Sequence, residues 1–276
     1  MRFHVKHETR YRYSAPVAFA PHVLRLNPRL DGVRMVSREL IVQPEPVERI
    51  EVVDPFGNRV TRVTFDGLSS ELSIDSRFEL DTIGPFQARP DEQSVPPLPW
   101  QAPVAAELEP YRGHGHDESV LAFAEDIATT ARWSADDFLV GLCATLHTTT
   151  ERHIRLEGAA QSPAVTLTTR RGACRDITVL FLAACRSLGM AGRFVSGYQA
   201  RAQTPDGQRH LHAWAEVFLP GLGWSGWDPT HGVRVTDGHV ALCAAPEQTD
   251  TMPVEGAFYG PALMATLDCS VRIATA

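Results

Sequence analysis

The sequence predicts an α+β fold with a β-rich first part and a mixed second part. Three observations carry this. Residues 1 to about 85 hold short β-branched or alternating runs separated by turn signals. A proline-rich stretch then interrupts any regular element. Beyond it, apolar residues recur at helical spacing and then give way to further strands.

In the first part, Arg38-Glu39-Leu40-Ile41-Val42 and Val60-Thr61-Arg62-Val63-Thr64-Phe65 have strand character. Asn27-Pro28, Asp31-Gly32, Asp54-Pro55-Phe56-Gly57-Asn58 and Asp66-Gly67 punctuate the runs as turns. Strands at roughly 8–12-residue spacing without a helical period predict a small antiparallel β-sandwich. Residues 85–110 hold seven of the chain's 20 prolines. Proline lacks the N–H that helices and ladders use, so this stretch is expected to be an extended connector. The boundary falls there, with a β unit and its linker over 1–100 and a second unit over 101–276.

The second unit starts with helices. Asp117 can cap a helix whose Val120, Leu121, Ala124, Ile127 and Ala128 form one apolar face. Ser134 with Asp137 three residues on resembles a capping box ahead of Phe138, Leu142 and Leu146. A third helix is expected from Cys174. Ile177, Leu180, Phe181, Ala184 and Leu188 then lie on one face, and Gly189 stops the helix. Strands follow at Arg193–Tyr198 and His212–Phe218. A turn at Pro220–Gly223 leads into a return strand that ends at Asp228, and Ala262–Ala276 is expected to add a last strand.

Composition removes several functions. The charge balance of 26 Lys and Arg against 33 Asp and Glu, net −7, argues against a polybasic nucleic-acid or anionic-membrane binder. A hydrophobic fraction of 43% with 21% charged residues excludes a mostly disordered chain. No apolar run approaches the roughly 18 residues of a membrane helix. Met1–Glu8 contains no apolar leader segment, so a reducing cytoplasm is the expected setting. The five cysteines, at 143, 174, 185, 243 and 269, include no CxxC pair. Neither a disulfide framework nor a Cys-rich zinc site is predicted.

The chemistry concentrates in Arg170-Arg171-Gly172-Ala173-Cys174-Arg175-Asp176. A cysteine that opens a helix meets unpaired N–H groups and partial positive charge, which favour its thiolate. Those N–H groups can also stabilise an oxyanion beside the sulfur. A thiol nucleophile needs a base that can become imidazolium, and that base needs an orienting acceptor. Counted outward from the Pro220–Gly223 turn, His212 falls opposite residue 230 and Asp228 opposite Trp214, offset by two positions on adjacent strands. Diagonal neighbours at roughly 7–8 Å can touch through long side chains. Taken singly, each residue has a plain alternative: a buried cysteine, an edge-strand histidine, a turn aspartate.

Several segments together resemble one family. Gly172-Ala173-Cys174-Arg175-Asp176 is followed by Leu188-Gly189-Met190-Ala191-Gly192-Arg193-Phe194-Val195-Ser196-Gly197-Tyr198 and by His212-Ala213-Trp214-Ala215-Glu216-Val217. Leu219–Trp224 and Trp227-Asp228-Pro229-Thr230 complete the series. These segments resemble the bacterial transglutaminase-like superfamily. His7–Tyr13, Leu24–Arg29 and Asp54–Asn58 resemble the N-terminal domain that accompanies it in bacteria. The resemblance implies an N-terminal antiparallel β-sandwich followed by a papain-like core, a helix bundle packed on an antiparallel sheet.

It also implies a nucleophile at Cys174, a general base at His212 and an orienting acid at Asp228. The implied chemistry is attack on an amide carbonyl to give a thioester, resolved by water or an amine. That makes a cysteine peptidase, an amidase or a protein-glutamine acyltransferase. No cofactor or metal is expected, and the expected partner is a peptide or protein substrate. Oligomeric state is open, a homodimer included. A catalytically idle protein-binding module of the same fold is the alternative.

Two departures from the family pattern stand out. Ile177-Thr178 occupy positions where Phe-Ala is frequent, which is expected to alter the pocket lining. His231 replaces a usual Asn and puts a titratable group beside the triad acid. Of the other candidates, His210 shares a strand face with His212 and is expected at the cleft rim. Trp214 and Asp176 are expected to be structural. Cys185 is predicted to be core, about 16 Å along the helix from Cys174. His114-Gly115-His116-Asp117 has the residue types of a metal site without an evident third ligand. No calcium loop or phosphate-binding glycine loop is present.

Overall fold

The computed structural model describes residues 1–84, 95–101, 105–113, 115, 117–155, 158–201, 204, 206–260 and 263–276. Six strands come first: β1 (Arg2–Phe19), β2 (His22–Leu24), β3 (Val33–Gln43), β4 (Glu48–Val53), β5 (Arg59–Thr64) and β6 (Ser69–Thr82). Side chains alternate along a strand, so Phe3, Val5, His7 and Thr9 of β1 share the inner face and all are buried. Lys6, Glu8 and Arg10 take the outer face, where Lys6 and Arg10 meet Glu8 and Glu71.

The helices start where the sequence places them. Asp117 caps α1 (Glu118–Thr130) by accepting from Ser119 N–H at 2.9 Å. Ser134 caps α2 (Ala135–Thr149) by accepting from Asp137 N–H at 3.4 Å. Next come β7 (Glu151–Arg152), α3 (Pro163–Thr169) and β8 (Arg171–Gly172). Helix α4 (Cys174–Ser187) opens at the cysteine. Gly189 ends it with φ +83°, and a Cβ there would lie 2.0 Å from Trp100 O. The remaining strands are β9 (Gly192–Gln199), β10 (His212–Leu219), β11 (Gly223–Asp228), β12 (Val233–Arg234), β13 (His239–Ala245), β14 (Val254–Glu255), β15 (Phe258–Tyr259) and β16 (Ala265–Thr275).

Part of the connector expected over 85–110 lies outside the described residues, as do His114 and His116. The described part packs on the helices. Leu98 and Trp100 are buried in the helical core, and Ala106–Tyr111 forms a 3-10 turn around Pro110. Among the described residues, no helix is long and apolar enough to cross a membrane.

One sheet has the order β12-β11-β10-β9-β13. Ala213, Ala215 and Val217 share a core with Ile177, Leu180 and Phe181 of α4. Tyr198, Val240 and Leu242 instead join the core of Phe3, Val5 and Leu80. The sheet is therefore covered on both sides, which explains the nearly continuous burial of β9 and β10. Two further sheets, β15-β1-β6-β3 and β14-β2-β5-β4, form the sandwich.

The expected last strand forms, but its partner lies in the first part of the chain. Residues 265–275 run antiparallel to β1, with Thr9 opposite Cys269 and Tyr11 opposite Leu267. Strands β14 and β15 likewise pair with β2 and β1. Such a pairing satisfies the free edge of β1, and nothing in the local sequence records it.

Candidate active site

The start of α4 is held by one buried carboxylate. Asp176 accepts from Ala173 N–H at 2.8 Å, Gln161 N–H at 2.8 Å, Gln161 Nε2 at 2.9 Å and Arg155 at 2.6 Å. Burial pushes the Asp176 carboxyl up. The Gln161 and Ala173 hydrogen bonds and the Arg155 charge outweigh that and hold it below the usual range. Gly172 leaves room for this arrangement, since a Cβ would come within 3.0 Å of Asp176 Cβ. Asp176 is thus structural, as expected, and it fixes the turn that presents Cys174.

Strands β10 and β11 bring the second and third residues. Ala215 pairs with Trp227, the register counted from the turn. His212 Nε2 lies 2.8 Å from Asp228 Oδ2. That leaves Nδ1 for the thiol, and Cys174 and His212 line one cavity. Burial raises the Cys174 pKa, but the His212 hydrogen bond and charge outweigh it, aided by Arg152 and Arg175, so the thiol sits below its ordinary value. Burial would lower His212. The Asp228 charge and hydrogen bond, with those of Cys174, instead push it up to about 10. The two groups are a tightly coupled pair, and each favours the charged form of the other.

Asp228 has more partners than the sequence indicates. Its Oδ2 also meets His231 Nδ1 at 2.7 Å and His239 Nε2 at 3.2 Å. Its Oδ1 accepts from the N–H groups of Thr230 at 3.1 Å and His231 at 3.2 Å. Burial raises the Asp228 carboxyl, and the three histidines together hold it well below the ordinary range. Two tautomers follow from the neighbours. An arginine can only donate, so Arg152 at 3.0 Å from His231 Nε2 leaves the ring proton on Nδ1, facing Asp228. Thr236 N–H donates to His239 Nδ1 at 3.4 Å, so His239 Nε2–H faces Asp228 too. Burial and the Arg152 and His212 charges lower the His231 pKa against the pull of Asp228.

His212, Asp228 and His231 also have donor atoms within 4.8 Å of one another, the ligand types a metal takes. Two ligands held at ~2.1 Å by a tetrahedral ion stand roughly 3.4 Å apart. The contacts here are 2.7 and 2.8 Å, the length of N–H···O hydrogen bonds, and the Arg152 cation stands beside them. This set is a proton network.

The site opens into a cavity of ≈ 380 Å³. One wall comes from the loop after β7 and the start of α4. The opposing pairs Thr9 with Cys269 and Tyr11 with Leu267 supply another. His210 lines the cavity as expected, tied to Asp206 at 2.7 Å. Trp214 is buried packing, also as expected. Ile177 and Thr178, expected in the lining, are instead buried and do not line the cavity, and Ile177 packs into the helical core. Cys143, Cys185 and Cys243 are buried, Cys269 is exposed, and all five thiols are free. Sequence reasoning missed His239 and Arg152. The β13–β9 pairing brings His239 to Asp228, and Arg152, at the end of β7, reaches the site through His231.

Residues 3–81 match the family model of the bacterial transglutaminase-like N-terminal region, and residues 123–229 that of the transglutaminase-like superfamily. The first region thus matches the bacterial transglutaminase-like N-terminal region and the second a transglutaminase-like superfamily core. An uncharacterized protein of Mycobacterium tuberculosis is 28% identical over 99% of this chain and 92% of its own length. One from Mycobacterium leprae is 26% identical over 94% of each chain. A solved structure from Cytophaga hutchinsonii, described as a candidate cysteine protease, superposes with a TM-score of 0.73. It is 20% identical and covers 99% of this chain and 90% of that one, which shows a shared fold.

Proposed function

We propose that this protein is a thiol-dependent amide hydrolase or acyltransferase acting on a peptide or side-chain amide. One observation carries the reading: the thiol at the start of α4 and His212 line the same cavity and bias each other electrostatically, and His212 Nε2 is held by Asp228 at 2.8 Å. The Cys174 thiolate attacks the amide carbon. The tetrahedral oxyanion is stabilised by the Cys174 N–H, which has no i−4 carbonyl within the helix. The carbon–nitrogen bond then breaks, and the His212 imidazolium gives its proton to the leaving amine. A thioester remains. Water or a primary amine attacks it, His212 takes the incoming proton, and the acid or new amide leaves with the thiol restored. Asp228 keeps the ring oriented and its Nε2 protonated throughout.

A peptide-amide mixture tests this. The native chain should release amine or ammonia, and Cys174→Ala should release none while folding normally. Full turnover by Cys174→Ala would remove the assignment. Ammonia release with no incorporation of an added primary amine would limit the chemistry to hydrolysis.

A further inference from the structure

The described residues that line the cavity include His212 and His231 but not Asp228, which is fully buried. Three elements deliver an imidazole to that carboxylate. Strand β10 supplies His212, the turn after β11 supplies His231, and β13 supplies His239. With the N–H groups of Thr230 and His231 they occupy both oxygens. A carboxylate has only about four lone-pair sites, so little acceptor capacity is left. The turn that carries His231 is itself held, since His147 Nδ1 donates to Thr230 O at 2.9 Å.

The rings differ at their far nitrogens. His231 Nε2 accepts from Arg152 at 3.0 Å, and His239 Nδ1 accepts from Thr236 N–H at 3.4 Å. Neither donor takes up a proton, because a guanidinium stays charged and a backbone amide keeps its hydrogen. Of the three rings, His212 is the one coupled to the Cys174 thiol. His231 touches the cavity on one edge and Asp228 on another, and its ring centre lies 4.9 Å from that of His212. His239 is buried, edge-on to Trp214 at 5.3 Å.

Resting on the thiol–amide reading above, we infer that His231 and His239 are positioning residues that act through Asp228. Their fixed N–H donors orient the carboxylate and their rings keep cavity water from it, so that His212 alone exchanges protons in the reaction. Attraction between two charges falls severalfold when water reaches a buried pair. Water that enters in place of an imidazole replaces its donor but not its exclusion of solvent. The Asp228–His212 attraction then weakens, and less Cys174 is held as thiolate. An amide can stand in for a fixed donor. Asn Nδ2 is bonded to Cγ as His Nδ1 is, and Gln Nε2 is bonded to a δ carbon as His Nε2 is. His231→Asn and His239→Gln therefore keep an N–H for Asp228. His212→Gln keeps one too but cannot act as a base.

The rate at which iodoacetamide labels Cys174, with Cys269 of the same chain as reference, tests this without an amide substrate. His231→Ala and His239→Ala should each slow Cys174 about tenfold. His231→Asn and His239→Gln should restore most of that loss, and His212→Gln should lose the whole advantage over Cys269. Nitrogen-15 spectra add a signature that lowered stability alone does not move. The His212 Nε2–H should stay protected from water in the amide variants and exchange with it in the alanine ones.

Folded alanine variants that label Cys174 at or above the native rate overturn the inference. So do amide variants that lose as much as the alanine ones, because the imidazole's own titration is then required. Where an alanine variant does not fold, the amide variants decide: a folded His231→Asn or His239→Gln chain as slow as His212→Gln overturns it. Failure of the thiol–amide reading has a different signature: the labelling rates follow the expected order and the native chain cleaves no amide.

Discussion

At the scale of residues, the account turns on where two protons sit. Asp228 faces three imidazoles, and only His212 also faces a thiol. Burial and the Arg152 and His212 charges keep His231 neutral, while Asp228 and Cys174 push His212 up to about 10. Nitrogen-15 correlation spectra at about pH 7 should show His231 neutral and Nδ1-protonated and His212 doubly protonated. A charged His231 there would contradict the network. Asp228→Asn should cut turnover on the order of a thousandfold, because His212 loses its charge partner and its tautomer control. Turnover should rise as Cys174 deprotonates and fall again as pH climbs toward the upper limb set by His212, near pH 10. These limbs belong to the pair rather than to either residue. The order Cys174, His212, Asp228 was readable because each residue sits at an element boundary with local signals. His231 was readable as a neighbour of Asp228 in the chain. His239 was not, since eleven positions separate it from Asp228 and its approach depends on β13 lying beside β9.

At the scale of elements, the start of α4 is the part on which the site depends. Asp176 gathers Ala173, Gln161 and Arg155, and its removal leaves one buried donor, two half-buried donors and a cation without their acceptor. Asp176→Ala should lower stability by about 3 kcal/mol in urea unfolding, and displace Cys174 as well. A change below about 0.5 kcal/mol would mean that the turn is held by packing alone. The helices with polar caps were legible. Asp117 and Ser134 stand ahead of apolar faces long enough to show a period. Helix α3 was not legible, because seven residues rich in threonine show no period. Strand β13 was missed for a different reason. Both of its faces are covered, so alternation is lost and His239–Ala245 reads as a plain apolar run.

At the scale of the whole molecule, β1 links the sandwich to the site. Its inner face carries Phe3 and Val5 into the core and then His7, Thr9 and Tyr11 into the cavity. His7 Nδ1 meets Tyr198 Oη at 2.7 Å, and its Nε2 lies 3.2 Å from Cys269 Sγ. Burial lowers the His7 pKa to about 4 despite the pull of Asp75. A folded-state pKa below the unfolded value near 6.5 means the unfolded chain takes up the proton first. This contribution is therefore complete above about pH 6.5 and is lost progressively as pH falls to about 4, on the order of 3 kcal/mol in all. Urea midpoints should fall across that window in the native chain and less steeply in His7→Phe. Equal slopes would contradict a buried neutral His7. Deleting residues 265–276 should uncover the edge of β1 and open the cavity wall, seen as a lower melting temperature and as aggregation. The sandwich was legible from its turns and alternating strands. The return of 265–275 to β1 was not, because long-range strand pairing has no local signature.

The central claim is a reactive thiolate at Cys174, and site-resolved alkylation tests it most directly. Cys143, Cys185 and Cys243 are buried, so Cys269 is the accessible reference thiol, its pKa raised by partial burial of the sulfur. With limiting iodoacetamide at about pH 6, peptide mapping should find Cys174 modified at least about a hundredfold faster than Cys269. Asp228→Asn should erase most of that advantage. Equal rates at the two thiols, or faster labelling of Cys269, would contradict the account.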